Sequence, residues 1–112
     1  MKGSIGPAAR DDILRQYRYL LIEEDNPALA RRFFAAVQTT VKKICQRPGI
    51  GAPKFMDNAK LAGLRSWPVA GFTAIRIYYL VADNGVRVIR ILHGKRDINP
   101  MLENESEEPE HA

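Results

Sequence analysis

A histidine, a lysine and two arginines supply most of the chemistry this chain could offer. Residues 91–102 read ILHGKRDINPML, an apolar run that reaches His93, then Gly94, then the charged group Lys95, Arg96 and Asp97. Arg76 lies in the preceding apolar run, FTAIRIYYLVA. A ribonuclease without metal must activate a 2′-hydroxyl, neutralise charge on the phosphorus oxygens and protonate the leaving oxygen. His93 has the proton affinity for the acid or base, and Arg76, Lys95 and Arg96 could hold phosphate. The same residues equally suit an exposed docking surface. His93 could also be a structural strand-end histidine, capping backbone or packing on Tyr78. Arg96 and Asp97 could form a local ion pair that fixes the exit from the strand.

The elements that must position these residues follow from patterning. Gly6-Pro7 reads as a helix start, with Gly at the N-cap and Pro at the first helical position. Asp11 and Asp12 then fall early in the helix, where the dipole favours carboxylates. Ile13, Leu14, Tyr17, Leu20 and Leu21 make one apolar stripe and predict a helix from about Pro7 to Glu24. Asn26-Pro27 repeats the start signal, followed by the stripe Ala30, Phe33, Phe34, Val37, Val41 and Ile44. Arg47-Pro48-Gly49 ends this second helix. So short a link makes the two an antiparallel helical hairpin.

Residues 48–60 carry Gly, Pro and Asn without periodicity and read as loop. LAGLRSW reads as a strand broken at Pro68, and a short edge strand is possible over residues 1–5. FTAIRIYYLVA and VRVIRILHG form a β-hairpin around Asp83-Asn84-Gly85. With Asn84-Gly85 as a two-residue turn, Asp83 pairs with Val86 and Arg76 faces His93. One face then carries Arg76, Tyr78, Leu80, Ile89, Ile91 and His93. The other carries Ile75, Ile77, Tyr79, Val81, Val88 and Leu92 and is the better candidate to meet the helices, although Arg90 intrudes on it. A longer loop would change that register. The fold class is therefore α+β: an N-terminal antiparallel helical hairpin packed on a small, twisted, mainly antiparallel β-sheet.

Charge divides the chain. Residues 1–102 hold all 17 Lys and Arg against 8 acids, a balance of +9, while residues 103–112 hold five acids and no Lys or Arg. A body so basic favours an anionic partner, nucleic acid or acidic protein. The expected organisation is one folded domain over 1–98 and an acidic, disordered tail over 99–112. Cys45 is the single cysteine, which rules out an internal disulfide and a Cys-based zinc cluster; it reads as an inert helical thiol. With only His93 and His111 besides, no metal site or cofactor is expected. No apolar run reaches a membrane span and residues 1–12 lack the apolar stretch of a secretory signal, so the expected setting is cytoplasmic.

Taken together, SIGPAARDDI, NPALARRF, the break RPGIG, GLRSW, the Tyr-rich strand and RILHGKRD resemble the ParE branch of the RelE/ParE toxins over most of residues 1–98. These are the toxin halves of bacterial type II toxin–antitoxin pairs. The resemblance implies the fold already read and a cognate, typically acidic, ParD-like antitoxin. It also implies one of two activities. RelE-type members cut mRNA on the ribosome without metal, whereas ParE-type members are associated with poisoning DNA gyrase. Family arginines fall at Arg76 and Arg96, with a further match at Arg65. The lysine pair of the nuclease falls near Leu61 and Gly63 and its C-terminal tyrosine near Leu102, and none of these can serve as acid or base. The expectation is a gyrase-directed toxin, acting by protein contact rather than turnover, that meets target or antitoxin through Arg65, Arg76, His93, Lys95 and Arg96. The alternatives are an mRNA interferase using Arg76, His93 and Arg96, and a non-toxic homologue that only binds antitoxin. Trp67 is expected in the core or at the sheet edge rather than as a base-stacking platform.

Overall fold

In a computed structural model, which describes residues 1–94, Pro100 and Leu102, both helix starts lie where the Gly-Pro and Asn-Pro pairs put them. Strand β1 (Gly3–Ile5) leads into α1 (Pro7–Arg18), which continues as a π-helical turn over Tyr19–Glu23. Helix α2 spans Pro27–Gln46. Asn26 caps it, its side-chain oxygen accepting from the Leu29 N–H at 3.0 Å. Short 3₁₀ turns at Pro48–Ile50 and Ala59–Leu61 flank β2 (Ala52–Pro53), so the 48–60 region carries some regular structure. Then come β3 (Arg65–Val69), β4 (Phe72–Ala82) and β5 (Gly85–His93).

The five strands form one sheet in the order β1-β5-β4-β3-β2. Among the described residues only the β1–β5 pairing is parallel. Two helices on this mixed sheet make the α+β fold expected. One face meets the helices: Ile13, Ala30, Phe33, Val37 and Ile44 pack with Val69, Ile75, Ile77, Tyr79, Val86, Val88 and Ile91. Trp67 and Cys45 pack at the margin of this core, both half-buried. A second apolar cluster lies on the outer face, where Leu61, Leu64, Tyr78, Ile89, Leu92 and Leu102 are buried together. Leu102, inside the stretch expected to be an acidic tail, is fully buried there.

Four expectations are corrected. Pro68 does not break β3. The strand runs on to Val69, with Pro68 opposite Arg76 and a register shift just after it. Proline has no N–H to give a ladder, but β2 covers only Arg65 and Ser66, so Pro68 stands where β3 is the edge.

The hairpin register also differs. The two-residue turn is Asp83-Asn84, and Gly85 already belongs to β5, opposite Ala82. Close approach of β1 explains this. A Cβ at Gly85 would lie 2.3 Å from the Lys2 carbonyl oxygen, and φ is +154°. That carbonyl also accepts the Val86 N–H at 2.8 Å. A bulge follows, because Tyr79 faces Val88 while Tyr78 faces Arg90, leaving Ile89 as the extra residue. Beyond it His93 lies opposite Ile75, and Leu92 opposite Arg76. Ile91 therefore joins the helix-side core and Leu92 the outer cluster, the reverse of the expectation.

Asp12 is not a dipole residue at the helix start. It is 5% exposed, and its carboxylate accepts from Arg90 Nε and Nη2, each at 2.8 Å, and from the Ile91 N–H at 2.9 Å. Parallel pairing with β1 covers β5 only over Val86–Val88. Asp12 thus occupies the position a further strand residue would have taken, and neutralises the arginine that intrudes on this side. Finally, the apolar stripes are narrower than read, since Leu14 and Phe34 are 47% and 44% exposed.

Candidate functional site

Arg65 and Arg76 are engaged within the fold. Arg65 stands opposite Tyr79 in the β3–β4 ladder. Its Nη1 donates to the Gly51 carbonyl at 2.7 Å and, more weakly, to that of Gly49 at 3.4 Å. Tyr79 grips the same turn: its hydroxyl accepts from the Gly51 N–H and donates to the Pro48 carbonyl, both at 2.8 Å. The RPGIG break that ends α2 is therefore pinned by two side chains of the sheet. Arg76 donates from Nε and Nη2 to the Ser66 hydroxyl at 3.1 and 3.0 Å, and from Nη2 to the Ser66 carbonyl at 3.3 Å. Its aliphatic part lies under Gly94, where a Cβ would come within 3.1 Å of Arg76 Cδ.

His93 is exposed and is not brought to Arg76. Opposite residues share a face and successive residues alternate, so Ile75 and His93 lie on one face and Arg76 and Leu92 on the other. An acid–base histidine beside a phosphate-binding arginine is thus not formed by this pair. Lys95 and Arg96 lie outside the described residues, as does all of the acidic tail except Pro100 and Leu102.

The outer face, where a nuclease would need a polar floor, is instead closed by the second apolar cluster. Leu61 and Leu102, the positions matched by the nuclease lysine and tyrosine, are 2% and 0% exposed. Burial pushes the Tyr78 phenol above its ordinary value, and Arg76 nearby partly offsets this. Burial likewise raises Tyr79, with the Gly51 N–H and Arg65 opposing. Such phenols hold their protons longer in the folded state than in the unfolded one. Stability from them is intact below about pH 10 and falls as pH rises past it, because the unfolded chain ionises first. Denaturant melts between pH 9 and 11 should show this decline, and the double variant Tyr78→Phe, Tyr79→Phe should flatten it.

A feature that the stripe reading obscured lies on the other side of the molecule. Ile13 and Leu14, like Phe33 and Phe34, are neighbours about 100° apart on a helix, so both members of a pair cannot face one sheet. Leu14 and Phe34 instead line an open groove of about 650 Å³ between α1, α2 and β1, together with Ile5, Ile13, Val37 and Val41. Arg10 and Lys42 are among its lining residues, and no acidic residue among the described residues lines it. Phe34 also packs edge-on against Tyr17, with ring centroids 6.3 Å apart.

Among the described residues no group of three or more His, Cys, Asp and Glu could hold a metal, and no helix is long and apolar enough to cross a membrane. Residues 4–98 match the family model described as the ParE toxin of the type II toxin–antitoxin system, parDE. No curated protein matches the chain.

Proposed function

The chain belongs to the ParE toxin family of type II toxin–antitoxin systems, and on that premise we propose that it inhibits DNA gyrase by protein–protein contact and is neutralised by a cognate antitoxin. The mechanism is stoichiometric trapping of a topoisomerase–DNA state, in which this chain makes and breaks no covalent bond. One observation carries the choice against RNA cleavage. The outer sheet face is filled by Leu61, Leu64, Tyr78, Ile89, Leu92 and Leu102, and among the described residues it presents no acid–base pair. An RNase needs two proton-transfer groups near one phosphate. His93 is on the opposite face from Arg76, and Arg76 is committed to Ser66.

Basic residues in this reading serve encounter. A body of 17 Lys and Arg against 8 acids over residues 1–102, +9 in balance, steers an acidic partner and also favours approach to gyrase-bound DNA. Purified protein is expected to inhibit gyrase supercoiling in a dose that tracks enzyme concentration, and to leave ribosome-bound mRNA intact. The variant His93→Ala should keep most of its growth inhibition, since an exposed strand-end side chain contributes little to the fold. Cleavage of mRNA in the ribosomal A site, abolished by His93→Ala, is the result that would overturn the proposal. Normal growth on overexpression would assign the chain to antitoxin binding alone.

A further inference from the structure

Helix α2 carries charge of one sign on one side. Its sequence, PALARRFFAAVQTTVKKICQ, holds Arg31, Arg32, Lys42 and Lys43 and no carboxylate. Ala30, Phe33, Val37, Thr40 and Ile44 form its buried side. At about 100° per residue the four cations fall in an opposite sector about 120° wide. All four are exposed, and exposed Arg47 adds a fifth where the helix ends. The needs of the helix do not account for this. The negative end of its dipole favours Lys43 and Arg47, but Arg31 and Arg32 stand a turn in from the positive end, where the dipole offers a cation nothing. No Asp or Glu stands three or four residues from any of the five, and Lys43 and Arg47 repel each other at a spacing of four. Among the described residues none of the five makes an ion pair.

We propose that this face of α2 binds the phosphate backbone of duplex DNA. Between the cations the sector holds only Ala35, Gln38, Thr39 and Gln46, all exposed. It therefore lacks the apolar centre of a protein interface, and it has no aromatic ring on which an unpaired base could stack. What remains is chemistry for phosphate: guanidinium forks that bind two oxygens at once, and ammonium groups that act as point charges. The spacing suits a duplex. Arg31 with Arg32 and Lys42 with Lys43 make two clusters about 16 Å apart along the axis, at about 1.5 Å per residue. The major groove of B-DNA is about 12 Å wide, so a helix laid across it sets one cluster against the backbone on each side. The choice of DNA over RNA rests on the gyrase reading, which the assignment deepens: the chain grips the DNA of the trapped complex as well as the enzyme.

The test uses the full chain and a labelled DNA duplex of about 30 base pairs, with affinity read by fluorescence anisotropy over a range of salt. Wild type should bind, and more weakly as salt rises. Each phosphate contact adds about 0.9 to the slope of log K against log salt. Arg31→Gln, Arg32→Gln, Lys42→Gln and Lys43→Gln together should flatten that slope by about 3–4 and weaken binding at least about 30-fold at about 0.1 M salt. Glutamine is a good helix former, so circular dichroism and melting temperature should not change. Arg31→Gln with Arg32→Gln alone should weaken binding at least about 5-fold, whereas Lys60→Gln with Arg87→Gln, at exposed sites on other elements, should change it less than about 2-fold. Equal losses in those two double variants would mean that net charge alone is at work, and the face assignment fails. An RNA duplex that binds more tightly than the DNA, or polyglutamate that displaces the DNA at equal charge, would overturn the proposal in favour of RNA or an acidic protein. Supercoiling assays separate it from the gyrase reading. Inhibition by a chain that does not bind DNA sinks the face and leaves that reading. DNA binding that the α2 variants abolish, with no inhibition by wild type, sinks that reading and leaves the face.

Discussion

Asp12→Ala is expected to lower folding stability by about 3–5 kcal/mol, the usual loss when one partner of a buried ion pair is removed. The carboxylate is 5% exposed and answers three donors: two from Arg90 and the Ile91 N–H. Its loss takes the carboxylate from a guanidinium whose side chain is 12% exposed, and the acceptor from a backbone N–H beyond the reach of β1. Against a typical domain stability of about 5–15 kcal/mol this is a large share. The melting temperature should fall by on the order of 20 °C, at about 4–8 °C per kcal/mol. Asp12→Asn keeps an acceptor for Ile91 and should lose less. Combining Asp12→Leu with Arg90→Leu should recover part of the loss but not all, because the Ile91 N–H still lacks its partner. Asp11→Ala, at the exposed neighbouring site, should stay within about 0.5 kcal/mol. Equal melts for Asp11→Ala and Asp12→Ala would show that the pair does not hold α1 to the sheet.

Asp12 also marks the boundary of what patterning could reveal. Features written in consecutive residues were legible. Gly6-Pro7 and Asn26-Pro27 fixed where the helices begin, and the alternation in FTAIRIYYLVA exposed Ile75, Ile77 and Tyr79 as the helix-side face of β4. Features set by distant partners were not. Asp12 read as a carboxylate suited to a helix dipole, because the arginine that claims it is 78 residues away. Gly85 reads as part of the turn, whereas it is the first residue of β5, where the Lys2 carbonyl leaves no room for a Cβ. The bulge at Ile89 then moved every later pairing, and with it the supposed neighbour of His93. A period-two pattern tolerates a one-residue shift in number but not in face, which is why the Arg76–His93 site dissolved while the strands survived.

The candidate surface was legible to a similar extent. Arg65 and Arg76 were found from the resemblance, but their type alone gives no sign that backbone carbonyls and Ser66 would occupy them. The groove was hidden for a different reason. Leu14 and Phe34 belong to the apolar stripes of their helices by residue type alone, although a helix face about 100° wide cannot hold two adjacent positions equally.

Leu102 gives the second large effect and decides how the outer face is to be understood. Leu102→Ala should cost about 2–5 kcal/mol, as truncation of a fully buried leucine does when the site cannot collapse around it. Denaturant melts should register this, while Phe55→Ala, at an exposed site, stays within about 0.5 kcal/mol. The Tyr78 phenol, raised chiefly by burial in the same cluster, should move back toward its ordinary value, followed by ultraviolet titration. Leu102→Tyr separates packing from chemistry. It puts back the tyrosine of the resembled nuclease, yet Leu61, Leu64, Ile89 and Leu92 surround the position with apolar atoms. Overpacking should cost about 1–3 kcal/mol and RNA cleavage should not appear, because among the described residues no acid–base partner shares that floor. A Leu102→Tyr protein that cut ribosome-bound mRNA would mean that the face is a nuclease site lacking one group. A merely destabilised protein that leaves such mRNA intact would mean that the leucine is there to close the sheet.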